Sequence, residues 1–250
     1  MRKLSLIALV AAFAAAPSFA LVGVGGHWAP NFGASVGGKT QNFTMAGQEF
    51  KFVRDEASID NGFGLKLWLD VPFIPLNVEA TANFQGGTYD ASVTTPTGKE
   101  LPMKADLGFP LLGDAEPLFG MMSVDLSLAW RALDLSLAVV GLQAYVGGGP
   151  SMIYATKPMD KKIAEAMIDA VYGAAAAPGA DEKAQAKAMQ KALEKAYGDN
   201  ESGFGGHALV GVRAKLLFFS VYANGKYHFG GLPKGVDNGF TLELGGGLGI

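Results

Sequence analysis

The sequence predicts an all-β chain that closes into a transmembrane, up-and-down antiparallel β-barrel of about eight strands, with an α-helical hairpin inserted in one loop. Three observations carry that reading: apolar and polar residues alternate with a period of two in segment after segment, the apolar face of every well-formed segment is free of charge, and the connections alternate between tight and long. Composition agrees. Of 250 residues, 49% are hydrophobic and only 17% are charged, and the 35 glycines are about twice the usual share. A formal charge of −3 offers no basic excess for a nucleic-acid backbone, so no nucleic-acid partner is expected. The absence of Cys removes disulfides, thiolate zinc sites and Cys nucleophiles together.

Residues 1–20 read as a secretory signal. Arg2 and Lys3 precede an apolar run from Leu4 to Ala16, and Pro17 and Ser18-Phe19-Ala20 follow, so cleavage is expected after Ala20. The run is shorter than the ~20 residues that a spanning helix needs. Its removal leaves 18 basic against 23 acidic residues, a net charge of −5. No uncharged apolar run further on is long enough for a second helical span. A membrane would therefore be crossed by strands, and 21–250 is read as the barrel.

The strands follow in order. A weaker first one runs from Leu21 to about Gly37 and contains Pro30, which implies a kink. Phe63, Leu65, Leu67, Leu69 and Val71 then alternate with Gly64, Lys66, Trp68 and Asp70. Leu76, Val78, Ala80, Ala82 and Phe84 alternate with Asn77, Glu79, Thr81, Asn83 and Gln85. Met122 to Trp130 repeats the pattern around Ser123, Asp125 and Ser127. A second weaker strand, Leu135 to about Tyr154, slips in alternation near Gly141 and suggests a bulge there. Ala208 to Leu216, Phe219 to Phe229 and Phe240 to Ile250 complete the set, and an extra alternation in 41–53 leaves ten strands possible.

The connections sort by length. Pro72 to Pro75, Arg131 to Asp134 and Leu217-Phe218 are tight, while 38–62, 95–120, 156–203 and 230–238 are long. Short periplasmic turns and long extracellular loops are the asymmetry of outer-membrane barrels, and both termini then fall on the periplasmic side. Trp130 and Phe219 stand at the periplasmic ends of their strands, and Phe84 and Phe229 towards the outer ends, as interfacial girdles require. Trp68 has inward parity.

Strand parity also assembles the interior. Lys66, Arg213, Lys215 and Lys226 face inward, opposed by Asp70, Glu79, Asp125 and Glu243. An eight-stranded barrel is only just wide enough to be filled by side chains, so the eight charges are expected to pair in a packed polar lumen. The alternative is that they line a narrow path for solutes or ions. The Gly clusters Gly23 to Gly26, Gly147 to Gly149 and Gly245 to Gly247 lack the context of a phosphate-binding loop and read as space-making residues.

Between the fifth and sixth strands, 156–203 turns Ala-, Lys- and Glu-rich and reads as an extracellular helical hairpin. Ile163, Met167, Ala170, Val171 and Ala174 lie along one side of the first helix, and Pro178-Gly179 breaks it. In the second helix Lys183, Lys187, Lys191 and Lys195 form a ridge at four-residue spacing. Like charges so spaced repel mildly, and the ridge reads either as a solvated face or as a contact for lipopolysaccharide phosphates or an acidic partner.

His27, His207 and His228 are the only histidines. A two-residue turn at Leu217-Phe218 sets His207 opposite His228, pointing inward near the outer rim. Two His without clear carboxylate neighbours make a weak metal candidate, so no metal and no cofactor are expected. Nothing in the sequence fixes a nucleophile beside a base, and the chain is not read as an enzyme.

In this pattern the chain resembles the small eight-stranded outer-membrane barrels of the OmpA transmembrane-domain, OmpX and OmpW type. The resemblance implies a monomer in the outer membrane, in contact with its lipid and lipopolysaccharide. It also implies a last strand, Phe240 to Ile250, read by the outer-membrane assembly machinery, although Ile250 stands where those families carry an aromatic. The expected role is structural or surface-interactive. A narrow channel or carrier for small or apolar solutes is the alternative, and a soluble periplasmic lipid-binding barrel a second one.

Overall fold

Alternating segments become strands because an apolar and a polar face cannot both be satisfied on one side of a sheet. Closing the sheet gives each face its own medium. In the computed structural model, which describes residues 22–103, 105–106, 114–115, 117–136, 140–175, 201–232 and 234–249, eight strands do so. They are β1 (Val22–Trp28), β2 (Asn61–Asp70), β3 (Leu76–Thr88), β4 (Leu118–Ser136), β5 (Val140–Ala155), β6 (Glu201–Leu216), β7 (Phe219–Phe229) and β8 (Phe240–Gly249). Each pairs antiparallel with its neighbour in sequence, and β1 pairs with β8, Gly23 opposite Gly249 and Trp28 opposite Leu244, so the sheet is a closed barrel. The signal segment 1–20 lies outside the described residues, as does Ile250.

The outward faces of all eight strands are apolar. Leu65, Leu67, Leu126, Leu128, Val210 and Val221 are each more than half exposed, whereas Lys66, Glu79, Asp125, Arg213 and Lys226 on the inward faces are fully buried. Greasy outside and polar inside is the arrangement of a barrel that spans a membrane, and the chain is a transmembrane β-barrel by this criterion. Among the described residues no helix is long and apolar enough to cross a membrane.

Three expectations need correction. The alternation in 41–53 does not add barrel strands: Lys39–Met45 and Gln48–Arg54 form a hairpin in a separate four-stranded sheet with Ala91–Thr94 and Glu100–Pro102. Period two marks a strand without saying which sheet it joins. Arg131 to Asp134 is not a turn. The strand runs through it to Ser136, with a bulge between Arg131 and Leu133. Finally, β5 alternates without a slip near Gly141. Gln143, Tyr145 and Ser151 point inward in unbroken register, and the apparent slip arose because the segment read as one strand from Leu135 joins the end of β4, which stops at Ser136, to β5, which begins at Val140. Pro30 does interrupt the first strand, but the register continues past it, with Asn31 opposite Thr241 and Phe32 opposite Phe240.

The long connections build a cap over one end of the barrel. Phe43, Phe50, Phe52, Val93 and Tyr89 pack with Met159 and with Ile163, Ala164 and Met167 of the helix α1 (Lys161–Ala175). Asp160 caps that helix, its carboxylate accepting from the Ile163 N–H at 3.1 Å. Met159, just ahead of it, is tied twice. Its N–H donates to the Tyr89 hydroxyl at 3.0 Å and its carbonyl accepts from Arg54 Nη1 at 2.8 Å. Phe119, Met121, Ile153 and Ala155 at the inner rim of β4 and β5 belong to the same apolar core, so cap and barrel are one packed unit. The first helix of the expected hairpin is thus present as α1, with Ile163 and Met167 buried, and 176–200 lies outside the described residues.

Candidate functional site: the barrel interior

Inward parity brings side chains from all eight strands into one column. At the tight-turn end Asp70 pairs with Arg213, whose Nη2 also donates to Gln143 Oε1 at 2.6 Å. The indole of Trp68 lies beside them, 5.3 Å under the Arg213 guanidinium. It fits because its wall neighbours have no side chain: a Cβ on Gly23 would overlap the indole, and one on Gly247 would come within 2.8 Å of it.

The middle of the column is a chain of paired charges. Lys66 Nζ stands 2.7 Å from Glu79 Oε2 and 4.5 Å over the ring of Tyr222. It donates to the Tyr145 hydroxyl at 3.3 Å, Tyr145 donates to Asn224 Oδ1 at 2.7 Å, and Asn224 donates to Glu243 Oε2 at 2.9 Å. Glu243 also accepts from Asn83 at 3.0 Å and pairs with Lys226 at 2.8 Å. Lys226 bridges to Asp125 at 3.2 Å, and Asp125 pairs in turn with His228 at 3.0 Å. Every charged side chain in this chain is fully buried and the His228 imidazole is buried beside them, so each charge has a partner where water would otherwise have served.

Seven of the eight charges expected inside therefore meet in pairs. Lys215 does not join them. It lies opposite Ser220, two positions from the turn, and is half-buried at the barrel's end. Sequence reading missed the role of Tyr145, since the strand that carries it was read as slipping. It also named His27 without a place. His27 Nε2 is 2.6 Å from Asn83 Oδ1, and its Nδ1 is 3.1 Å from the Tyr222 hydroxyl.

His207 does face His228 across the β6–β7 ladder, with ring centroids 5.8 Å apart. Its nitrogens are engaged by two hydroxyls: Ser127 Oγ at 2.7 Å from Nε2 and Ser151 Oγ at 2.8 Å from Nδ1. Ser127 and His207 thus stand at the distance of a nucleophile and its base, a juxtaposition that no sequence spacing announced. The second nitrogen of His207 meets a hydroxyl rather than the carboxylate that orients a catalytic histidine, because Asp125 is taken by Lys226 and His228. Among the described residues no group of three or more His, Asp or Glu is arranged to hold a metal ion.

Towards the loop end the polar column finishes at Asn31, Gln85 and Thr241, where Asn31 Nδ2 donates to Gln85 at 3.3 Å and to Thr241 at 3.1 Å. Above them the inner face turns apolar at Phe119, Met121 and Ile153 and merges with the cap core. The lysines Lys183, Lys187, Lys191 and Lys195 lie outside the described residues.

No family model and no curated protein matches the chain. Among solved structures it is similar to Ail, the attachment invasion locus protein of Yersinia pestis. One structure, in complex with the heparin analogue sucrose octasulfate, matches at 11% identity and a TM-score of 0.39, and a second at 12% and 0.35. Neisserial surface protein A matches at 13% identity and a TM-score of 0.41. Each comparison covers 92% of this chain and 97% of the other. The closed barrel stands on its own register and exposure, to which likenesses at these scores add nothing.

Proposed function

We propose that this outer-membrane barrel has a structural or surface-interaction role, presenting the loop-end cap and the 156–203 segment to the outside, and that its lumen is packed and does not conduct. One observation supports the reading: buried side chains stand at every level of the interior, with Trp68 and Asp70–Arg213 at the turn end, the ion-pair chain in the middle, and the apolar core shared with the cap above. A polar interior also runs counter to the greasy cavity that a soluble lipid carrier needs.

In this reading the tight turns face the periplasm and the long loops the exterior. The Lys183, Lys187, Lys191 and Lys195 ridge is the candidate contact for lipopolysaccharide phosphates, residues 1–20 are the cleaved signal, and Phe240 to Ile250 engages the assembly machinery. The protein works as a monomer without cofactor or catalysis.

Single-channel recording in planar bilayers tests the lumen. A silent bilayer is expected, and steady, ion-selective openings would replace this reading with the channel alternative. Trypsin on intact cells tests orientation. Cleavage at the lysine ridge with the strands protected supports a surface loop, whereas protection until the outer membrane is permeabilised reverses the assigned faces. Deleting 176–200, which spares α1 and its buried Ile163 and Met167, then asks whether partner binding is lost from an intact barrel.

A further inference from the structure

The tight-turn end carries apolar side chains past the point where the barrel wall stops. Phe73 is fully exposed, and Leu217 and Phe218 are each more than half exposed. Their backbone makes them an unusual choice. Phe73 has φ 64° and Leu217 φ 55°, in the left-handed region where Gly or Asn fits without strain and a bulky residue does not. A two-residue hairpin turn such as Leu217-Phe218 ordinarily takes Asn-Gly or a related Gly pair. What the chain gains from Phe73 and Leu217 instead is apolar surface. The first of the two turns is also held still. Arg131 donates from Nη2 to the Val71 carbonyl at 3.0 Å and to that of Ile74, and its backbone N–H reaches the Pro75 carbonyl at 2.8 Å. Asp134 balances its charge at 2.8 Å. The cation is folded back onto the turn, and Phe73 is left at the tip.

Arrangement decides what covers these residues. In the closed strand order the β2–β3 turn and the β6–β7 turn stand on opposite sides of the barrel. A single docked protein needs one patch, whereas apolar turns half a circumference apart suit a surrounding ring. Each turn is continuous with the lipid-facing band: Leu69 leads into the first, and Phe219 into the second, its ring 4.4 Å from that of Phe218. On β7 the outward face from Phe219 to Phe229 rises about 25 Å at a tilt of ~40°, which already matches the apolar band of such barrels. Leu217 and Phe218 then lie just beyond it, at the depth of the lipid headgroups. We infer that the turn end is sunk into the interfacial layer of the leaflet it faces, with Phe73, Leu217 and Phe218 covered by phospholipid instead of projecting into water. The inference rests on the transmembrane reading above.

Because the chain has no Cys, single-Cys variants can carry a nitroxide directly. Phe73→Cys and Phe218→Cys are compared with Leu67→Cys in the band and Thr44→Cys on the exposed cap, all reconstituted in phosphatidylethanolamine–phosphatidylglycerol vesicles. Collisions with oxygen, which concentrates in lipid, are measured against collisions with a water-soluble nickel chelate. Oxygen is expected to dominate several-fold at 73 and 218, as at 67 and opposite to 44. If Phe73→Cys does not insert, Ile74→Cys reads the same turn. Nickel dominating at either turn while 67 remains in lipid overturns the inference and leaves the barrel reading intact. Nickel dominating at 67 as well overturns the transmembrane reading and the inference with it.

Discussion

The indole of Trp68 occupies the space that a side chain at Gly23 would fill. The two residues face each other on adjacent strands, and a Cβ on Gly23 would overlap the six-membered ring. Gly23→Ala should therefore destabilise the barrel by about 1–3 kcal/mol, the usual cost of overpacking. Trp68→Phe, which shortens the intruding ring, should recover part of that loss in the double variant, a coupling on the order of 1 kcal/mol. Urea unfolding of the four proteins of the cycle checks it. Strict additivity would mean that Trp68 moves aside freely and does not fill the lumen.

Lys66 and Glu79 form the pair whose separation should be felt most. Both are fully buried, and Lys66→Met leaves Glu79 beside Tyr145 without its nearest cation. A loss of about 3–5 kcal/mol is expected from the single change, while Lys66→Met with Glu79→Met should regain most of it, since paired removal takes away the desolvation penalty along with the attraction. Equilibrium unfolding in lipid or detergent measures both. A harmless single variant would show that water reaches Glu79 and that the interior is open.

The lipid-facing band predicts a different asymmetry. Leu67 lies between Leu65 and Leu69 on the outer face of β2, more than half exposed, yet Leu67→Arg should cost about 2–4 kcal/mol because a charge at mid-membrane has no water. Thr44→Arg, also exposed but on the cap hairpin, should stay within about 0.5 kcal/mol of the parent. Folding yields into vesicles separate the two. Equal tolerance at both positions would argue that the outer face meets solvent.

How much of this was legible in the sequence depended on whether a local rule fixed it. The faces of β2, β3, β4 and β7 could be read because lipid and lumen impose opposite chemistry on alternate residues. His207 could be set opposite His228 because a two-residue turn fixes the register on either side of it. The bond from Lys226 to Asp125 could not, since it joins β7 to β4 across the interior and exists only once the barrel closes. Nor could the fate of 41–53, whose alternation suits a barrel strand and a cap hairpin equally. Arg131 and Asp134 look like turn residues by composition. The structure uses them to extend a strand and clamp the neighbouring turn, a role visible only in three dimensions.

Arg54 gives the last prediction, because it separates the cap from the barrel. Its guanidinium is buried in the cap with the carbonyls of Met159 and Gly37 as acceptors, and burial pulls its pKa below the ordinary value against the opposing influence of Tyr89 and Asp160. Arg54→Leu would leave two sheltered carbonyls without donors, at about 1–3 kcal/mol each. That loss should fall on the packing of α1, since residue 159 precedes the helix and residue 37 precedes the hairpin. Tryptic cleavage at Lys161 and Lys162 should accelerate, while the heat-dependent gel shift that reports an intact barrel stays unchanged. Arg54→Lys keeps the charge but cannot reach both carbonyls as the planar fork does, and should lie between the two. If Arg54→Lys matched the parent, charge alone would hold the cap. If Arg54→Leu weakened the barrel as much as the cap, the two would unfold as one.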